Sequence, residues 1–113
     1  MNLPAAERAL IEPAKVRDYL LAREHPVGRF KAMFFESLGY SAGAWQQLEA
    51  DLRGLAAAGE ATLGEQTKYG QKYEVHGSLS GPSGKRASVV TVWIIRWGEE
   101  APRFVTAFPG GKT

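Results

Sequence analysis

The most unusual stretch of this chain is His25-Pro26-Val27-Gly28-Arg29-Phe30-Lys31. It places a histidine, the side chain that titrates near neutral pH, just ahead of a helical pattern, with Arg29 and Lys31 in the first turn. Cations at a helix N-terminus oppose the macrodipole, where acids would stabilise, and such a local conflict is expected where an anion is bound. Pro26 stiffens the approach, and Gly28 permits close contact with a ligand or another backbone. A second cluster, Thr67-Lys68-Tyr69-Gly70-Gln71-Lys72-Tyr73, interleaves two lysines with two tyrosines. That combination can grip phosphates and stack bases. A third group sets Thr91 and Trp93 on one face of a strand, beside Arg103 and Thr106 of the next.

Each group also has an ordinary structural reading. The histidine can cap a turn beside two solvated cations, and the lysines can snorkel along a strand with a half-buried tyrosine face. Thr91, inside an apolar strand, must find a hydrogen-bond partner, so it is either a structural bond or a site residue. The sequence carries no phosphate-binding loop, no metal-ligand spacing and no nucleophile elbow. No cofactor is therefore expected.

The elements that must position these residues change period at Gly59. Residues 13–58 read as helices. Pro13 suits a first helical position, and Leu10, Val16, Tyr19 and Leu20 form a short apolar stripe. The residue before Pro26 avoids the helical region, which separates this stripe from a second helix running from Val27 to Leu38. There Phe30, Met33, Phe34 and Leu38 share one face, and Gly39 sits at the C-terminal cap. Ser41 reads as the N-cap of a third helix, whose stripe is Trp45, Leu48, Leu52 and Leu55.

Beyond Gly59 the pattern is that of a β-meander over about residues 61–108. A weak strand at Ala61–Gln66 precedes Tyr73, Val75 and Leu79, which alternate with polar residues. Gly81-Pro82-Ser83-Gly84 is a turn by residue type. The strand Lys85–Trp97 has a continuous apolar centre, which marks it as central with both faces covered, and Arg103–Phe108 forms the last strand. The expected fold is α+β, one domain over residues 1–113, with two or three N-terminal helices packed on a four-stranded antiparallel sheet. Val92, Ile94, Leu48, Leu52 and Phe34 are expected in the core, and the sheet face away from the helices is left free to carry a site.

Composition narrows the class. The 113 residues contain no cysteine, which excludes disulfide scaffolds, thiolate metal sites and cysteine nucleophiles and fits a reducing compartment. Fourteen basic residues against 12 acids give a net charge of +2, which permits nucleic-acid binding without signalling it. The C-terminal half is the more basic, with Lys68, Lys72, Lys85, Arg86, Arg96 and Arg103. The longest apolar stretch, around Val89 to Ile95, is far short of the roughly 20 residues that a membrane-spanning helix needs. No membrane partner and a cytoplasmic location are expected.

The strings HPVGRFKAMFF, TKYGQKYEV, GPSGK, TVWII and PRFVTAFP, in this order, resemble a bacterial toxin-like domain family over nearly the whole chain. That family is in turn similar to the superfamily joining barnase, EndoU, tRNase colicins and RelE. The resemblance implies metal-independent RNA cleavage through a 2′,3′-cyclic phosphate, with His25, Lys31, Arg103 and Thr106 as the catalytic set carried over by motif. His25 would serve as base or acid. Lys31, Lys72 and Arg103 would stabilise the developing charge, and Thr91 or Thr106 would donate to a phosphate oxygen. Arg29, Tyr69, Lys72 and Thr91 are the RNA-binding candidates. His76 is the one candidate for a second histidine. An RNase of this kind requires a separately encoded antitoxin or immunity protein, expected to be acidic. The competing class is a non-catalytic adaptor that uses the same basic residues to hold a protein or nucleic acid, with an exposed patch around Trp45 or Trp97.

Overall fold

The computed structural model describes residues 1–22, 24 and 29–110. A 3₁₀ turn at Ala6–Arg8 leads to α1, Pro13–Lys15, which continues directly into the π-helical turn Val16–Leu20. Helix α2 spans Arg29–Ser37, and α3 spans Trp45–Ala58 after a 3₁₀ turn at Ala42–Ala44. Four strands follow: β1 Glu60–Gln66, β2 Gly70–Ser80, β3 Arg86–Arg96 and β4 Arg103–Pro109. They pair antiparallel in the order β1-β2-β3-β4, so the fold is α+β with the helices N-terminal and the sheet a meander. No helix of the described residues is long and apolar enough to cross a membrane.

The core lies between the helices and one sheet face. Val16 and Leu20, Phe35 and Leu38, and Leu48, Leu52 and Leu55 meet Val75, Leu79, Val89, Trp93, Phe104 and Ala107 there. Phe34 packs against this cluster from its margin. Two expectations about phase need correction. Phe30 and Met33 are exposed, at 66% and 60%, and the buried residues of α2 are instead Ala32 and Phe35, with Leu38 buried just beyond the helix as expected. In β3 the core residues are Val89, Thr91 and Trp93, whereas Val92 and Ile94 lie half-buried on the opposite face. A continuous apolar run carries no phase, and a one-residue choice exchanges every side chain between faces. The face away from the helices is therefore not fully covered: Val90 is buried there, but Val92 and Ile94 remain partly accessible.

Gly39 ends α2 with φ 102°, a left-handed conformation that glycine adopts without strain. A Cβ there would also lie 2.4 Å from the Ser83 backbone nitrogen, because the β2–β3 turn packs against this corner and Ser83 N–H donates to the Leu38 carbonyl at 3.0 Å. The Ser41 side chain makes no capping hydrogen bond, and the residue preceding α3 is Ala44.

At the other edge of the sheet the chain start supports β4. Leu10 N–H donates to the Pro102 carbonyl and Phe104 N–H to the Leu10 carbonyl, both at 2.9 Å. This holds α1 beside β4. A bulge interrupts β4: Val92 pairs with Thr106 but Trp93 pairs with Phe104, leaving Val105 as the extra residue. Bulges bend a strand and re-aim its side chains, and they are frequent beside functional sites.

Candidate functional site

The first turn of the site comes from α1 and its π-helical continuation. Val16 and Leu20 are fully buried and anchor the segment, and Leu21 N–H closes the wide turn on the Val16 carbonyl at 3.0 Å. Lys15 and Tyr19 occupy the side of this segment that faces β4. Lys15 Nζ donates to the carbonyl of the bulged Val105 at 3.4 Å. Helix α2 contributes Lys31, one residue from the buried Ala32.

The ammonium of Lys31 joins the three elements. It donates to Thr106 Oγ1 at 2.7 Å and to the Tyr19 phenol oxygen at 3.0 Å. It also lies 5.1 Å from the centre of the Tyr19 ring and 6.0 Å from that of Phe108. Contact with aromatic faces is favourable for a cation and keeps it in place. The Tyr19 phenol is held below the ordinary tyrosine range, chiefly by the Lys31 hydrogen bond; partial burial opposes this, while the Thr106 bond and the charges of Lys31 and Lys15 reinforce it.

Glu12, Ala14, Lys15, Tyr19, Lys31, Val105 and Thr106 line an open cleft of about 530 Å³. A second hollow of about 390 Å³ lies across β4, lined by Gly64, Glu65, Lys72, Glu74, Val92, Val105 and Thr106. The two share Val105 and Thr106, so the bulge sits between them. A third groove, between α3 and β2, offers little chemistry. Its one ionisable side chain is Asp51, which accepts from Tyr40 at 2.6 Å and Gln47 at 3.1 Å. Burial, with the Asp51 hydrogen bond, pushes the Tyr40 phenol upward.

Of the residues singled out by sequence, Lys31 and Thr106 are brought into direct contact. Lys72 lines the neighbouring hollow and pairs with Glu65 at 3.5 Å. Arg103 lines neither cleft; its guanidinium is held by Glu99 at 3.0 Å, and this hydrogen bond lowers the Glu99 pKa. Arg29 is exposed, 4.8 Å over the Phe30 ring, and Tyr69 stands exposed at the β1–β2 turn with Lys68 over its ring at 5.3 Å. His76 shares the open sheet face with Glu74, 3.4 Å away. His25 lies outside the described residues.

Thr91 requires correction as an RNA contact. It is fully buried on the helix-facing side, where its hydroxyl accepts from the Trp93 indole at 2.8 Å and donates to the Val75 carbonyl at 3.3 Å. It is the structural bond of the two readings. Conversely, Tyr19 and Lys15 were absent from the candidate set. Tyr19 read as part of an apolar stripe; the available signal was its i, i+4 spacing from Lys15, which puts both on one helical face. Among the described residues no group of three or more His, Asp or Glu side chains is arranged to hold a metal ion.

A chain of the contact-dependent growth inhibition toxin–immunity protein complex from Klebsiella pneumoniae 342 superposes with a TM-score of 0.72, covering 95% of this chain and 97% of that one. The two are 16% identical, so the likeness is one of fold. None of the curated proteins matches the chain. Residues 2–111 match the sequence model of DUF6883, a domain of unknown function, and the chain belongs to that family.

Proposed function

We propose that this chain is a metal-independent endoribonuclease toxin that cleaves RNA through a 2′,3′-cyclic phosphate. The observation that carries the reading is the Lys31 ammonium, fixed between Thr106 and Tyr19 at the edge of an open cleft. A fixed cation beside a hydroxyl donor suits the dianionic phosphorane formed when a 2′-oxygen attacks phosphorus, because preorganised donors need no rearrangement as charge develops. Lys72, across the shared bulge, would hold an adjoining phosphate. Arg29, Arg103 and Tyr69 would contact RNA further from the reacting bond, and His25 would transfer a proton. The fold shared with a chain of a toxin–immunity complex supports the toxin class.

A toxin of this kind has a separate protein inhibitor. An acidic partner would present carboxylates where RNA phosphates lie and gain association rate from charge complementarity.

Induced expression tests the reading. The wild-type chain, produced alone in a bacterial host, is expected to arrest growth, and His25→Ala is expected to relieve the arrest. Arrest that persists in His25→Ala removes the histidine from the mechanism. A wild-type chain as harmless as the variant would instead favour a binding module.

A further inference from the structure

The cleavage reaction needs a group that takes the 2′-hydroxyl proton, and the described cleft holds one outside the carried-over set. We propose that Tyr19 is the general base, its phenolate oxygen accepting the 2′-hydroxyl proton while Lys31 holds it in place. This deepens the endoribonuclease reading and rests on it.

Three observations converge on this residue. The Tyr19 oxygen sits 3.0 Å from the Lys31 ammonium, which is itself 2.7 Å from Thr106 Oγ1. A phosphate oxygen held by Lys31 and Thr106 would thus bring the adjacent ribose within reach of the phenol, the geometry general-base catalysis needs. The second is the π-helical turn Val16–Leu20. It is fixed by buried Val16 and Leu20, and π turns are frequent at functional sites. Third, both hydrogen bonds to the phenol, and the nearby charges, favour its ionised form.

Atoms and charges balance. The 2′-oxygen forms a bond to phosphorus as its proton passes to the Tyr19 oxygen, and the bond from phosphorus to the 5′-oxygen breaks. The departing 5′-oxygen takes a proton from water. Tyr19 then returns its proton to solvent. The products are a 2′,3′-cyclic phosphate and a 5′-hydroxyl.

Among the described residues, the charged groups facing Tyr19 in the cleft are Lys31 from α2 and Lys15 and Glu12 from the α1 segment; β4 contributes the uncharged Thr106 and Val105. A base must be deprotonated to act, so the rate should rise with pH along a limb placed below the ordinary tyrosine value of about 10. The experiment is a pH profile of single-turnover RNA cleavage for the wild-type chain and Tyr19→Phe, with RNA affinity measured alongside. The expected result is a rising limb in the wild type, its loss in Tyr19→Phe, a rate lower by about 10²–10⁴-fold, and affinity changed less than about twofold. An active wild type with an equally active Tyr19→Phe, or an unchanged limb in that variant, overturns the role of Tyr19 alone. A wild-type chain that cleaves no RNA overturns the endoribonuclease reading and this inference together.

Discussion

Lys31→Met is expected to lower the rate of RNA cleavage by about 10²–10³-fold, the cost of removing one preorganised donor from a charge-stabilising site. Methionine preserves an unbranched apolar stem alongside Tyr19 and Phe108 while deleting the ammonium that both hydrogen bonds require. Thr106 and Tyr19 line an open cleft, so water can replace the lost donor and the fold should survive. Cleavage kinetics beside a thermal melt check this. A melting temperature within about 2 °C of wild type, with the rate collapsed, separates chemistry from stability. Lys31→Arg should rescue poorly, since a planar guanidinium cannot take the same point position between two oxygens. Loss of the ammonium should also return the Tyr19 phenol toward its ordinary range, because Lys31 is the largest cause of its displacement.

The largest stability effect is expected at Trp93. It is fully buried, meets Phe104 edge to face at 5.3 Å, and donates its indole N–H to Thr91 at 2.8 Å. Trp93→Ala should cost about 3–5 kcal/mol through lost burial and the cavity left behind. That is a large share of the roughly 5–15 kcal/mol that holds a typical domain folded. Thr91→Val should cost less, about 1–3 kcal/mol, because it keeps the volume but strands a buried indole N–H. Urea unfolding of both variants measures these losses. The folded Thr91→Val chain should bind RNA as wild type does, since Thr91 faces the helices.

The order of elements was legible in the sequence because helical and strand periods change at one glycine. The four strands, and the positive-φ glycine at the end of α2, follow from alternation, one continuous apolar run and turn chemistry. Phase was harder to read. Seven successive residues around Val89–Ile95 offer either face to the core, and only tertiary packing, which buries Val89, Thr91 and Trp93 on the helix side, selects one. In α2 the apolar residues outnumber the buried positions, which are Ala32 and Phe35, and Phe30 and Met33 are left in solvent.

The site divides the same way. Lys31 and Thr106 stand out by residue type, and the structure brings them together from positions 75 residues apart. Tyr19 was hidden because an aromatic residue among aliphatics fits a buried stripe. Its placement beside Lys31 and Thr106 depends on the π-helical turn and the β4 bulge, neither of which has a local sequence signal here. Arg103 carries the right charge, but Glu99 four residues earlier already holds it.

The most direct test is the chemistry of the cut ends. Purified chain is incubated with RNA in the presence of EDTA, and the fragments are examined by mass spectrometry. The expected result is cleavage that leaves a 2′,3′-cyclic phosphate on one fragment and a 5′-hydroxyl on the other. Intact RNA, or fragments bearing a 3′-hydroxyl and a 5′-phosphate, would contradict it.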